Sequence, residues 1–119
     1  MVRSACSSAF AETDLVILAA AVADYRPKAY SDIKIKKKND DLFLELVKTI
    51  DIAATLGKTN RPDQVFVGFA LETDHEEANA KAKLEKKNFD FIVLNSMQDI
   101  GAGFGHETNK ISILRRDGT

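Results

Sequence analysis

The sequence has 119 residues, of which 45% are hydrophobic and 29% charged, with a formal net charge of −1. This composition is typical of globular proteins and argues against disorder, nucleic-acid binding and general membrane-surface binding, since the last two need a strong basic excess. The single cysteine cannot form an internal disulfide, and no apolar run approaches the ~20 residues of a membrane span. We therefore expect a cytoplasmic protein.

A helix and a buried strand are the first predicted elements. Apolar residues recur at helical spacing over Val2–Phe10, and Leu15–Leu18 form a continuous apolar run. A run buried on both faces favours a central parallel strand. The alanines at 19–23 favour a helix instead. However, Asp24 and the Arg26-Pro27 step end the segment early, because the residue before proline is kept out of helical space.

A β-hairpin is predicted next. Residues 33–38 and residues 42–47 both alternate between the two faces of a strand, and Asn39-Asp40-Asp41 between them supply turn residues. Further on, Thr49 is predicted to cap a short helix, and Thr73 with Glu76 forms the pattern of a capping box.

The rest of the chain alternates strands with helices. Strands are predicted at 65–70, 91–94 and 110–114, and helices at 49–56 and from Thr73 to about Lys87. Such alternation indicates a parallel sheet with helices on its faces. The predicted fold class is α/β, a partial Rossmann-like parallel-sheet sandwich with a β-hairpin insertion. It is called partial because about 5 to 6 strands are usual, and we expect the missing strands to precede residue 1.

Candidate ligand-binding residues follow the predicted strands, because open α/β sheets bind ligands beyond the carboxyl ends of their strands. Ala20, Ala23 and Asp24 follow the first strand, Phe69 lies at the end of the second, and Asn95 follows the third. Small side chains let a planar ligand approach the backbone, and Phe69 offers an aromatic face. Tight helix–sheet packing is the alternative explanation for any one of the small residues.

A cluster of lysines is the second candidate. On a strand, Lys34, Lys36 and Lys38 share one face, where like charges at roughly 7 Å intervals repel one another unless they are solvated or bound to an anion. A nucleoside triphosphate is such an anion. A lysine-protected sheet edge explains the pattern equally well.

Other motifs that carry chemistry are missing from the sequence. It contains neither GxGxxG nor GxxxxGK[ST], and the glycines at 101–105 precede no predicted helix. His75 and His106 have no partners at metal-ligand spacing and are predicted surface residues. The sequence therefore disfavours covalent catalysis and leaves charge stabilisation and positioning of a nucleotide.

Several motifs recur in a fixed order: AAAVADYRP at 19–27, KIKK at 34–37, LVKTIDI at 46–52 and VGFALET at 67–73. Together they resemble the phosphopantothenoylcysteine synthetase family over nearly the whole chain. The resemblance implies that residues 1–119 are the C-terminal part of a synthetase-like domain. It further implies CTP-dependent ligation of 4'-phosphopantothenate with cysteine through an acyl-cytidylate, in coenzyme A biosynthesis and with Mg²⁺. FMN is expected only in a fused decarboxylase domain absent from this chain.

The resemblance also implies roles for individual residues. Its nucleotide-binding positions are Ala20, Asp24, Lys34, Lys36, Lys37 and Phe69. Ala20 and Phe69 would lie against the cytosine, and Lys34 would be catalytic because it contacts the triphosphate and stabilises charge near the α-phosphate. A homodimer is expected through the hairpin at 33–47, with no nucleic-acid or membrane partner and no metal ligand from the protein.

The sequence departs from the family pattern at Ile50, usually proline, and at Leu71, usually a second alanine. No stretch supplies the family's N-terminal glycine-rich turn or the asparagine that binds the acyl-cytidylate. We therefore expect no ligation by this chain alone. An ATP-using relative and a non-catalytic segment that binds nucleotide or dimerises are the alternatives.

Overall fold

The computed structural model describes residues 2–33, 35, 42–96 and 110–118, and the chain divides into two compact units. The first unit contains residues 1–20 and 52–119, and the second contains residues 21–51. The elements are α1 (Val2–Phe10), β1 (Leu15–Leu18), β2 (Tyr25–Pro27), β3 (Leu46–Lys48), α2 (Ile52–Leu56), β4 (Val65–Glu72), α3 (Glu76–Lys86), β5 (Phe91–Ser96) and β6 (Ile111–Arg115).

The first unit is built on a four-stranded sheet with the order β1-β4-β5-β6. β1, β4 and β5 are parallel, whereas β6 pairs with β5 in the antiparallel direction. The predicted α/β class is confirmed. The predicted central position of β1 is wrong for the described residues, where β1 pairs with β4 alone. An apolar run indicates burial but does not say how many neighbouring strands produce it.

One face of this sheet forms the core together with the helices. Phe66 in β4 is fully buried, and its ring meets those of Phe10 and Phe89 at centroid distances of 5.7 and 4.7 Å. Leu56 of α2 and Leu84 of α3 belong to the same cluster. Gly68 is required at this face, because a Cβ there would lie 2.3 Å from the Phe89 ring.

The opposite face of the sheet is apolar and largely exposed in β1, β4 and β6, although Val93 of β5 is buried there. Residues alternate between the two faces of a strand, and the strand register places the exposed positions of the four strands on one side. The exposed apolar side chains on this face are Leu15, Ile17, Val65, Phe69, Leu71, Ile111 and Ile113. Helices therefore cover only one face of the sheet among the described residues.

The second unit contains an antiparallel pair that differs from the predicted hairpin. β3 pairs with β2, with Arg26 opposite Val47. Directly beyond the paired residues, Lys28 and Glu45 form an ion pair at 2.8 Å. The sequence pattern does not predict β2, because Pro27 is interpreted as ending the preceding segment. Proline is nevertheless tolerated in edge strands. The predicted tip of the hairpin, residues 39–41, and residues 36–38 of its first predicted strand lie outside the described residues.

Two predicted helix starts are wrong. The hydroxyl of Thr49 donates to the carbonyl of Ala23, 2.6 Å away, and α2 begins only at Ile52. α3 begins after His75, which is the N-cap residue with a left-handed φ of 44° and no side-chain capping hydrogen bond. None of the helices in the described part of the chain is long and apolar enough to cross a membrane.

Candidate functional site

The parallel strands end on one side of the sheet, which we call the carboxyl edge and define by Ala20, Phe69, Leu71, Glu72 and Asn95. Ala20 follows β1 by two residues, and Leu18 at the end of β1 is in register with Gly68 of β4. Ala20 thus follows β1 as predicted, whereas Phe69, predicted at the end of its strand, lies within β4, which continues to Glu72. Phe69 is 48% exposed, so much of its ring is accessible.

Asn95 adds a polar group to this edge. It is opposite Leu71 in β4 and opposite Ile111 in β6. Its Oδ1 is buried and has no hydrogen-bond partner among the residues that the structure describes. The sequence places Asn95 after a strand, but the missing partner depends on its neighbours across the sheet and has no sequence signal.

Glu72 is the acidic group of the carboxyl edge, and it is engaged within the protein. Lys83 Nζ lies 2.5 Å from Glu72 Oε1, and Asn79 Nδ2 donates to Oε2 at 3.3 Å. The side chain of Glu72 is only 12% exposed. Pairing with Lys83 offsets the negative charge that would otherwise repel an anionic ligand at this end of the sheet.

Asp24 belongs to the second unit, where the backbone fixes its position. The backbone carbonyl of Asp24 accepts a hydrogen bond from the amide of Thr49 at 2.8 Å, and Asp24 is exposed. The predicted phosphate-binding residues Lys34, Lys36 and Lys37 lie outside the described residues. The structure therefore gives the geometry of the predicted base-binding positions Ala20 and Phe69.

The opposite side of the sheet, which we call the amino edge, is defined by Asp14, Arg61, Gln64 and Asp90. Gln64 is 3% exposed, and its Nε2 donates to the carbonyls of Phe10 and Thr13 at 2.8 and 2.6 Å. Its Oε1 accepts from the amide of Arg61 at 3.3 Å. The sequence gives no sign of this role, because Gln64 lies outside the predicted elements, just before the strand predicted at 65–70.

The other polar groups of the amino edge are also paired. Asp90 Oδ2 accepts from the amide of Phe66 at 2.8 Å, and the Arg61 guanidinium lies 3.3 Å from Asp14 Oδ1. A cleft of about 380 Å³ lies beside Gln64, between α1 and α2. The hydrogen bonds around the cleft join elements of the protein to one another, which indicates a structural role.

The described residues give little support for metal binding or for catalysis by histidine. Over 2–33, 35, 42–96 and 110–118, no group of three His, Cys, Asp or Glu side chains could hold a metal ion. His75 is exposed and pairs with Asp74 at 2.8 Å, which confirms its prediction as a surface residue. His106 lies outside the described part of the chain.

Comparison with known families identifies this architecture. Residues 1–119 match the model described as the DNA/pantothenate metabolism flavoprotein C-terminal domain. The chain belongs to this family. The predicted resemblance to the synthetase is thereby confirmed at the level of the family. Similar sequences and similar solved structures support the same assignment.

The sequence relatives are longer proteins. The chain is 55% identical over 112 residues to "Cysteine/Cysteine sulfinic acid decarboxylase" from an unknown prokaryotic organism, covering 94% of this chain and 31% of that protein. It is 45% identical over 116 residues to "Coenzyme A biosynthesis bifunctional protein CoaBC" of Bacillus subtilis (strain 168), covering 98% of this chain and 28% of that protein. The chain thus spans about a third or less of these relatives.

Solved structures support the same fold. The crystal structure of the C-terminal domain of CoaBC matches with a TM-score of 0.71 and 34% identity, covering 98% of this chain and 48% of that one. The DNA/pantothenate metabolism flavoprotein from Streptococcus pneumoniae matches with a TM-score of 0.68 at 22% identity, covering 96% and 62%. The second likeness concerns the fold alone.

Proposed function

We propose that this chain carries the nucleotide-binding part of a CTP-dependent ligase that joins 4'-phosphopantothenate to cysteine in coenzyme A biosynthesis. Family membership and 45% identity to the Bacillus subtilis CoaBC protein support the pathway. The observation that carries the proposal is the parallel pairing of β1 and β4, which places Ala20 just beyond the end of β1 and Phe69 one residue after Gly68, the partner of Leu18. Ligands of open α/β sheets bind at the carboxyl ends of such strands.

The base would lie against Phe69, whose ring is half exposed on the uncovered face of the sheet. Aromatic rings stack on nucleobases, and the small side chain of Ala20 leaves the backbone after β1 accessible to a planar ligand. Asp24 would help hold the nucleotide, as the family resemblance implies. These contacts position the ligand and involve no covalent step.

Lys34, Lys36 and Lys37 would bind the triphosphate, with Lys34 near the α-phosphate. As the carboxylate of 4'-phosphopantothenate attacks, negative charge builds on that phosphate, and an ammonium group held there lowers the energy of the transition state. Mg²⁺ would bind mainly through the phosphates of the nucleotide, as is usual for this ion. Because Glu72 at the end of β4 pairs with Lys83, its negative charge would repel the nucleotide less.

The complete reaction would need more than residues 1–119, which cover 48% of the solved CoaBC C-terminal domain. We propose that this chain is the C-terminal part of the synthetase domain, acts in the cytoplasm and forms a homodimer through residues 33–47. Mixed with CTP, 4'-phosphopantothenate and cysteine, the chain alone should release no pyrophosphate. Steady release would refute that part of the proposal.

Calorimetric titration of the chain with CTP and Mg²⁺ tests nucleotide binding. Lys34→Ala should weaken CTP binding at least about tenfold through the loss of a charged phosphate contact. Lys58→Ala is the matched control, since Lys58 is an exposed lysine of the first unit and its removal should leave binding unchanged. ATP binding tighter than CTP binding would favour the ATP-using relative, and no binding by the folded chain would contradict the proposal.

A further inference from the structure

Asn95 stands out at the carboxyl edge because its side-chain oxygen is buried and accepts no hydrogen bond within the described part of the chain. Buried amide groups are nearly always paired, and a buried acceptor without a donor costs stability. Asn88 shows the usual arrangement in the same molecule, since its Nδ2 donates to Gly57 O and to Asn60 Oδ1, both at 2.8 Å. An unpaired acceptor at a strand end suggests a donor that arrives with a ligand.

The register of the sheet places Asn95 beside the proposed base-binding ring. Phe69 is opposite Val93, and Leu71 is opposite Asn95, so Phe69 and Asn95 lie diagonally on the same face of adjacent strands. Diagonal neighbours of this kind are about 7 to 8 Å apart. A planar base on the Phe69 ring would therefore extend its edge towards the Asn95 oxygen.

The donor needed at this oxygen matches one edge of cytosine. Cytosine carries an exocyclic amino group, which donates hydrogen bonds, where pyrimidines of the uracil type carry a carbonyl oxygen, which only accepts. A second acceptor facing the Asn95 oxygen would repel it. The amide oxygen is thus suited to distinguish the two bases.

We infer that Asn95 Oδ1 accepts a hydrogen bond from the exocyclic amino group of the bound base and so selects CTP over UTP. This inference rests on the proposed function and adds a specificity-determining residue to it. Sites that hydrogen-bond a substrate group reject analogues that lack it, because the buried partner is then left unpaired. UTP is the test ligand because it differs from CTP at this group.

Titrations with CTP and UTP, each with Mg²⁺, test the inference on the wild-type chain, Asn95→Leu and Asn95→Asp. The wild-type chain should bind CTP at least about tenfold more tightly than UTP. Asn95→Leu removes the acceptor, so its CTP affinity should fall about tenfold, while its UTP affinity should rise because the repulsion is removed. Asn95→Asp keeps an acceptor oxygen and should retain the preference for CTP.

Thermal melting of the same variants separates this role from a structural one. Asn95→Leu should melt at a higher temperature than the wild-type chain, because it removes an unpaired buried acceptor. A structural role predicts a lower melting temperature. An unchanged CTP/UTP ratio in Asn95→Leu, or equal binding of CTP and UTP by the wild-type chain, overturns this inference alone. A folded wild-type chain that binds neither nucleotide refutes it together with the proposed function.

Discussion

Each end of the parallel sheet carries carboxylate and carboxamide side chains, but the two ends use them differently. At the amino edge, Gln64 makes three hydrogen bonds within the protein, and Asp90 accepts from a strand amide. At the carboxyl edge, Phe69 leaves half of its surface accessible, and the Asn95 oxygen has no partner among the described residues. The comparison indicates that the amino edge stabilises the fold, and it supports our proposal that the carboxyl edge binds the ligand.

Two phenylalanines of β4 give the largest expected contrast. Phe66→Ala should lower the free energy of unfolding by about 3 to 5 kcal/mol, because the ring is fully buried between Phe10 and Phe89. Phe69→Ala is the matched control on the other face of the same strand and should cost about 1 kcal/mol or less. Urea denaturation measures both values. Equal losses of stability would mean that the two faces do not differ as described.

Gln64→Leu should produce the next largest effect. It fills a similar space but leaves the carbonyls of Phe10 and Thr13 without their donor, at a cost of about 1 to 3 kcal/mol in the free energy of unfolding. CTP affinity should stay unchanged, since the residue lies at the amino edge. If instead Gln64→Leu left stability intact and abolished CTP binding, the roles assigned to the two edges would be reversed.

The smallest expected effect concerns Glu77 on α3, which belongs to neither edge. A hydrogen bond and the charge of Lys81, one turn away at 2.6 Å, lower the pKa of the Glu77 carboxyl. A lowered pKa means that the ion pair stabilises the folded chain above the unfolded pKa, and that this contribution is lost as pH falls through the folded pKa. Lys81→Gln should return the Glu77 pKa towards its ordinary value in an NMR titration. An unchanged pKa would show that the pair does not form in solution.

Apolar patterning predicted much of the fold. Leu15–Leu18 and Val65–Glu72 form strands in which alternate side chains pack against the helices. The apolar residues in the sequence reflect this burial. The short strand Tyr25–Pro27 escaped prediction because its pairing with Leu46–Lys48 is a non-local contact with no apolar pattern of its own. The start of α3 escaped for a different reason, since His75 adopts its left-handed conformation without a side-chain cap.

The sequence suggested a position for the candidate site but less of its chemistry. The rule that ligands bind beyond strand ends indicated Ala20, Phe69 and Asn95 from the order of elements alone, although Phe69 and Asn95 lie within β4 and β5. The free oxygen of Asn95 could not be predicted, because it depends on which side chains face it across β4 and β6. In the same way, the buried hydrogen bonds of Gln64 follow from the approach of α1 to the start of β4.

The most direct test of the contrast between the edges is an amide NMR titration of the chain with CTP and Mg²⁺. The account predicts shift changes that saturate at Ala20, Phe69 and Asn95, with little change at Gln64 and Asp90. Changes centred on the amino edge and its cleft, with the carboxyl edge unaffected, would contradict it.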